Sequence, residues 1–300
     1  MPALPRVFAV IPTFNEEPEL AVCLASLHSQ QGVEIVPLVI NAGRPLPAEF
    51  AGQCEEVQVE GACFWTCCTQ TGLDIAKERH AEIVMFVNSD IEILPGTVEQ
   101  LVRHLQEQPQ NVFASPGYTR ETSGRLRLQV SRDIVIPFLM HNYLKRDWVY
   151  REDAREGVLE AGVAGGQGVV FSASYLDRVR LDPKNFPQAR GDHVFWAAMR
   201  RAGARLYFVS QAGMVNQRPL SEGVLPKGFN LKAVWRYMTS EYAPESVITM
   251  WRYRRATQAL PVAVASFVLM VPGAWTYRIL KGIARAASSA ARRNPEPPQL

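Results

Sequence analysis

Short apolar runs rich in β-branched residues alternate along the first half of the chain with stretches in which apolar residues recur every three or four positions. The runs Val7 to Ile11, Val33 to Ile40, Val57 to Val59, Ile83 to Val87 and Val112 to Ser115 predict strands. Helical spacing places Leu20, Leu24 and Leu27 on one helix face and Leu73 and Ala76 on a helix over about 69–79. A third helix is opened by Pro95-Gly96-Thr97, with Val98, Leu101, Val102 and Leu105 on one side. Strands separated by helices of this length imply βαβ units, and so a mainly parallel central sheet with right-handed crossovers and flanking helices. No internal repeat is present.

The second half is less regular. A strand is expected over 125–130, and an aromatic, charged stretch from His141 to Tyr150 reads as a loop or lid, a place where substrate contacts concentrate. The glycine-dense segment Gly162 to Gly168 leads into Val169-Val170-Phe171, with a helix near 174–179. Glycine at this density permits close approach of backbone to a ligand, and equally a bulge or tight turn. Gly191-Asp192-His193 then opens an amphipathic helix, Val194 to Ala202, that stops at Gly203.

Composition places the chain among ordinary globular proteins: 300 residues, 47% hydrophobic and 20% charged. Met1 to Phe14 lacks the apolar core and small-residue cleavage site of a secretory leader. Five cysteines without a regular framework point to a reducing compartment. Cys54, Cys63, Cys67 and Cys68 have no zinc-ribbon spacing and read as buried small residues.

The net charge is +3, and its distribution is uneven: Ser246 to Arg293 holds eight basic residues and no acidic one, leaving 3 − 8 = −5 for the remainder. Within that basic end, 256–277 is uncharged and as long as the roughly 20 residues of a bilayer-spanning helix. Pro261 and Pro272 interrupt it and arginines flank both sides, which favours a segment lying in the membrane interface against anionic lipid; a pair of core helices remains the alternative. The organisation expected is one main region over 1–216, divided near 115 into two halves. A helical extension over 217–293, membrane-associated over 256–293, and a tail over 294–300 follow.

The strand Ile83 to Val87 ends in Asn88-Ser89-Asp90, so a carboxylate falls at the carboxyl end of a strand buried on both faces, where open α/β sheets bind ligands. A carboxylate there suits a divalent cation and a phosphate. Asp192 has a plainer role available, since aspartate at a helix start stabilises the first turn by about 1 kcal/mol. The order of the parts changes the weighting: Pro12-Thr13-Phe14-Asn15-Glu16 after the first strand, the Asn-Ser-Asp triplet, Gly165-Gly166 before a strand, Gly191-Asp192-His193 before a helix, and Ala202 to Tyr207 after it.

That order, from about Val7 to Asn216, resembles the family 2 glycosyltransferases with the GT-A fold, and Phe64-Trp65-Thr66 resembles a segment of their bacterial rhamnosyltransferase-like branch. The resemblance implies a single GT-A-like domain whose nucleoside-diphosphate sugar is held by Pro12, Thr13, Asn15, Asn41, Thr66, Gln70, Asn88, Ser89, Gly165 and Gly166. It implies Mn²⁺ or Mg²⁺ at Asp90 with Asn88, Asp192 as general base, and His193 and Trp148 toward the acceptor. The activity implied is inverting, hexosyltransferase-like transfer to a glycan or lipid-linked acceptor in polysaccharide biosynthesis. The expected location is the cytoplasmic face of the cell membrane, with peripheral contact through the basic end and no nucleic-acid partner. Several positions depart from the family pattern. Asn88 and Asn41 stand where aspartates are usual, Gly191 precedes Asp192 in place of a glutamate, Val215-Asn216 replaces a late histidine, and Cys67 and Gln70 replace glycine and asparagine. A nucleotidyltransferase of similar fold and a non-catalytic nucleotide-sugar-binding module remain alternatives.

Overall fold

The computed structural model describes residues 3–130, 133–136, 141–144, 148–218, 231–269, 272–273, 275–276 and 280. Contacts divide the chain into two units: Met1–Pro137 with His141–Leu220, and Phe138–Met140 with Ser221–Leu300.

The first unit is built on β1 (Arg6–Thr13), buried from Val7 to its end and paired in parallel with β2 (Glu34–Asn41) on one side and β4 (Ile83–Phe86) on the other. Beyond β2 lies β3 (Glu55–Gln58), also parallel. Beyond β4 the sheet continues through β12 (Val169–Ser172), β6 (Val112–Ala114), β13 (Leu206–Val209) and β11 (Val158–Ala161), giving the order β11-β13-β6-β12-β4-β1-β2-β3. Four of the seven pairings are parallel; those of β12 with β4 and β6, and of β11 with β13, are antiparallel.

The alternation along β1 divides the core in two. Val7, Ala9 and Ile11 face α1 (Glu17–His28) and α3 (Thr97–Glu107), whose Leu20, Leu24, Leu27, Val98, Leu101 and Leu105 are buried with them. Phe8 and Val10 face α2 (Trp65–Glu78) and α4 (Gly191–Arg201), which contribute Leu73, Ala76, Phe195, Trp196 and Met199. Helix α2 begins at Trp65, four residues before the expected start, because the polar run Thr66, Thr69 and Gln70 is buried rather than exposed. A second sheet, β5 (Ile91–Ile93), β14 (Met214–Asn216), β7 (Gly117–Arg120) and β8 (Leu126–Val130), sits at the end of β4.

Two expectations for the second half change. His141–Leu144 is not loop but strand β10, paired antiparallel with β9 (Asp133–Ile136); residues 145–147 of the expected lid lie outside the described residues. The helix expected near 174–179 is a 3-10 turn over Ala173–Asp177.

In the second unit, α5 (Leu231–Thr239) and α6 (Val247–Thr257) are followed by helical residues 260–269. The Ser246 hydroxyl accepts the Thr249 N–H at 3.0 Å and so caps α6. Among the described residues no helix is long and apolar enough to cross a membrane. Residues 281–300, with four of the eight basic residues of that end and the whole tail, lie outside them.

Candidate active site

The carboxyl ends of β1, β2 and β4 lie side by side, and the loops leaving them form one rim. Asn15 adopts a left-handed φ of 52°, and its Oδ1 accepts the Arg44 N–H at 2.9 Å, joining the loop after β1 to the loop after β2. Pro12 and Thr13 are buried at the end of β1, and among the described residues the Thr13 hydroxyl has no hydrogen-bond partner.

The triplet follows β4. Asn88 Oδ1 accepts the Trp65 indole N–H at 2.9 Å, and the Asn88 amide donates to Gln167 Oε1 at 3.0 Å. The buried Ser89 hydroxyl donates to Glu16, whose other oxygen is held by Arg218 at 2.5 Å; Arg218 also reaches Glu19 at 2.8 Å. Burial, and then the Glu16 carboxylate, hold the Asp90 carboxyl above its ordinary 3.8. Burial, with Asp90 nearby, also pushes the Cys23 thiol beneath the triplet up to about 12.

Asp192 enters from α4. Arg190 precedes the helix in a left-handed conformation, φ 66°, so Asp192 lies in the first turn, where backbone N–H groups and the helix dipole favour negative charge. Its Oδ1 accepts the His193 N–H at 2.8 Å, and its side chain is 20% exposed, open enough to meet a ligand. Burial pushes the His193 imidazole down to about 4; its Nδ1 lies 3.2 Å from Arg190 and its Nε2 4.0 Å from Asp192.

Aromatic packing links the two carboxylate-bearing segments. Phe86, two residues before Asn88, has ring centroids 5.4 Å from both Phe195 and Trp196 of α4 and 6.3 Å from Trp65. Trp65 is the hub. Besides holding Asn88, its backbone N–H reaches Gln188 Oε1 at 3.1 Å, and its ring lies against Gly166, where a Cβ would stand 2.3 Å from Cζ2. Its neighbour Thr66, fully buried and with no hydroxyl partner among the described residues, lies against Gly191, where a Cβ would stand 2.4 Å from Oγ1. The triplet, the Gly165-Gly166 segment and the start of α4 thus meet at the first turn of α2.

Other expected residues are placed differently. Asn41 is buried at the end of β2 with its amide engaged by its own surroundings, donating to Arg44 O at 2.6 Å and Glu56 at 2.7 Å and accepting from Gly43 N–H at 2.8 Å. Gln70 joins Asp74 at 2.9 Å to the Leu181 N–H at 2.8 Å, supporting the loop before α4. Trp148 is buried with Tyr118, Leu128, Leu94 and Val215, and its indole N–H donates to the Tyr118 hydroxyl at 3.2 Å; it belongs to the core of the small sheet. The cysteine expectation is corrected: Cys63 and Cys67 form a disulfide across Trp65, a bond that a reducing compartment would open. Cys23, Cys54 and Cys68 are free. Glu16, Arg218 and Gln167 received no role from sequence; the polar residue amid glycines at 165–168 is the only one of the three with a local signal.

The donor set fits one kind of cation site. Among the described residues no three His, Cys, Asp or Glu side chains gather as an all-protein cage. A half-buried carboxylate whose charged form burial disfavours gains from a cation. One or two carboxylates with phosphate oxygens and water make an ordinary Mg²⁺ shell. Asp90 fits such a cation shared with a bound diphosphate, whereas the Asn88 oxygen is already engaged by Trp65.

Neither a known family's sequence profile nor a curated protein matches the chain. Solved structures do. A crystal structure of GalNAc-T7 with UDP, GalNAc and Mn2+ superposes with a TM-score of 0.60 at 12% identity over 85% of this chain and 48% of that one. One of S. aureus TarS gives a TM-score of 0.52 at 14% identity, over 84% of this chain and 42% of that one. The fold is GT-A. This chain spans about half the length of those two proteins.

Proposed function

We propose that the chain is an inverting glycosyltransferase of family 2 type that moves a sugar from a nucleoside diphosphate to a glycan or lipid-linked acceptor. The observation that carries this reading is the meeting of Asn88-Ser89-Asp90, Gly165-Gly166 and the Asp192 turn around Trp65. Mn²⁺ in the GalNAc-T7 structure supports a divalent ion at Asp90 in this chain.

In the reaction, the bond from the anomeric carbon to the diphosphate breaks and a bond to the acceptor oxygen forms. The acceptor proton passes to the Asp192 carboxylate, and the nucleoside diphosphate departs with its electron pair. A divalent ion, when bound, would offset the charge that builds on that leaving group. Thr13 and Asn15 border the nucleotide, Ser89 and Glu16 hold the triplet, and Arg218 fastens Glu16 and Glu19 at the triplet's rim. His193, held down to about 4 by burial, adds no second cation beside Asp192 to the neighbouring Arg190. One carboxylate acting once gives inversion.

The test is a donor panel, UDP-, GDP- and dTDP-sugars with Mn²⁺, read by nucleoside diphosphate release. Release from one donor class with an inverted product supports the reading; pyrophosphate release, or none from any donor, overturns it.

Peripheral membrane contact at the cytoplasmic face is proposed for the second unit. Its Leu260, Val264, Val268 and Leu269 are 43–63% exposed. Val247, Ile248, Trp251, Val264, Phe267 and Val268 line an apolar groove of about 520 Å³ beside Arg252. Sedimentation with anionic vesicles, lost on Val268→Glu, checks this; sedimentation unchanged by that substitution contradicts it.

A further inference from the structure

We propose that Gln167 is a positioning residue for the donor triplet, the rotatable joint in a one-way chain of amides running from Trp65 through Asn88, Gln167 and Asn216 to Gln129. The positioning role rests on reading the triplet as the donor site; the chain itself does not. The links are Trp65 Nε1 to Asn88 Oδ1 at 2.9 Å, Asn88 Nδ2 to Gln167 Oε1 at 3.0 Å, Gln167 Nε2 to Asn216 Oδ1 at 3.3 Å, and Asn216 Nδ2 to Gln129 Oε1 at 3.4 Å.

The direction is dictated at one end. An indole N–H only donates, so residue 88 must turn an oxygen toward Trp65. An asparagine that does so presents its NH₂ to residue 167, and each following amide is then fixed in turn. Gln167 and Asn216 are 9% and 5% exposed, so water does not readily replace a lost link, and an unmatched pair of oxygens or NH₂ groups is disfavoured.

Gln167 lies next to Gly166, which touches the Trp65 ring, and its oxygen holds the Asn88 amide. It therefore fixes both the first residue of the triplet and, through it, the indole bonded to that residue. The same geometry gives the joint a second setting. A carboxylate at 88 still accepts from Trp65 but presents oxygen to residue 167. Rotation of the Gln167, Asn216 and Gln129 amides by half a turn restores every bond with the direction reversed. Accommodation of either an amide or a carboxylate at 88 thus depends on an amide at 167.

Two carboxylates facing one another, at 88 and 167, have no such solution, because each only accepts. Thermal melting of Asn88→Asp, Gln167→Glu and the double variant tests this without any ligand. Each single variant is expected to melt within about 3 °C of wild type at pH 7.5. The double variant is expected to fall about 10 °C further than the singles combined. Additive losses would overturn the chain.

Calorimetry with UDP, GDP and dTDP, each with Mn²⁺, tests the positioning. Gln167→Leu is expected to weaken the diphosphate that wild type binds about tenfold, and Gln167→Glu, which still accepts from Asn88, to restore most of the loss. Equal losses in both variants overturn positioning. A wild-type protein that binds none of the three overturns the donor-site reading and the positioning role with it, while the melting arm still decides the chain.

Discussion

Replacing Gly166 by alanine tests whether Trp65 holds the site together. The added Cβ would stand 2.3 Å from Trp65 Cζ2 and 2.6 Å from Cη2, against 3.4 Å for an ordinary contact, so the ring must retreat by about 1.1 Å. The indole bond to Asn88, at 2.9 Å, has about 0.6 Å of slack before it ceases to be a hydrogen bond, and it therefore breaks. Overpacking of a filled site costs about 1–3 kcal/mol and the lost bond about 1 kcal/mol more, giving a loss of about 2–4 kcal/mol in urea unfolding. Trp65→Phe removes the outer ring atoms that the new methyl meets. Gly166→Ala with Trp65→Phe should then be more stable than the two single losses predict, by about 1–2 kcal/mol. Additive losses, or a Gly166→Ala protein as stable as wild type, would refute the packing of Trp65 against this segment.

Nucleoside diphosphate binding with Mn²⁺ should weaken as pH falls, with its acid limb above the 3.8 of an ordinary aspartate because burial and Glu16 raise Asp90; Asp90→Asn should abolish both the metal dependence and that limb, and a limb kept by the variant contradicts the assignment. His193, at about 4 in the fold against 6.5 unfolded, adds stability that is complete above pH 6.5 and lost as pH falls toward 4. That is on the order of 3 kcal/mol, so the gap between wild type and His193→Gln in urea should shrink between pH 8 and 4.5, and parallel curves would contradict it. Thiol titration of the denatured, unreduced protein should find three of five cysteines free; five would place Cys63 and Cys67 apart in the isolated protein. Where the bond forms, Cys63→Ser should cost about 2 kcal/mol by the loop-closure relation.

Periodicity exposed the strands and helices of the first half because each buries one face, or both, in a single core. The triplet after β4 was legible for the same reason: a run of five buried apolar residues that ends in polar ones locates a strand end. Strand direction was not legible. The residues of β12 alternate and pack alike whichever way the strand runs, and only its partners β4 and β6 make it antiparallel. Hydrogen-bond partners were hidden too. Asn41 and Gln70 look like ligand contacts by position, yet their amides are engaged by Glu56 and Leu181, residues whose proximity arises only on folding. Trp148 reads as an aromatic contact in a charged stretch, and strand pairing by β8 draws it into a core instead. Glu16, Arg218 and Gln167 gain significance only from what lies beside them, which spacing along the chain does not encode.

The central claim is that Asp192 takes the proton of an acceptor facing a sugar diphosphate held beside Asp90. It is tested most directly by steady-state diphosphate release from wild type and Asp192→Asn on the donor the panel identifies. The account predicts a fall in kcat of about 10²–10⁴ with donor KM little changed. An Asp192→Asn enzyme that turns over at the wild-type rate contradicts it.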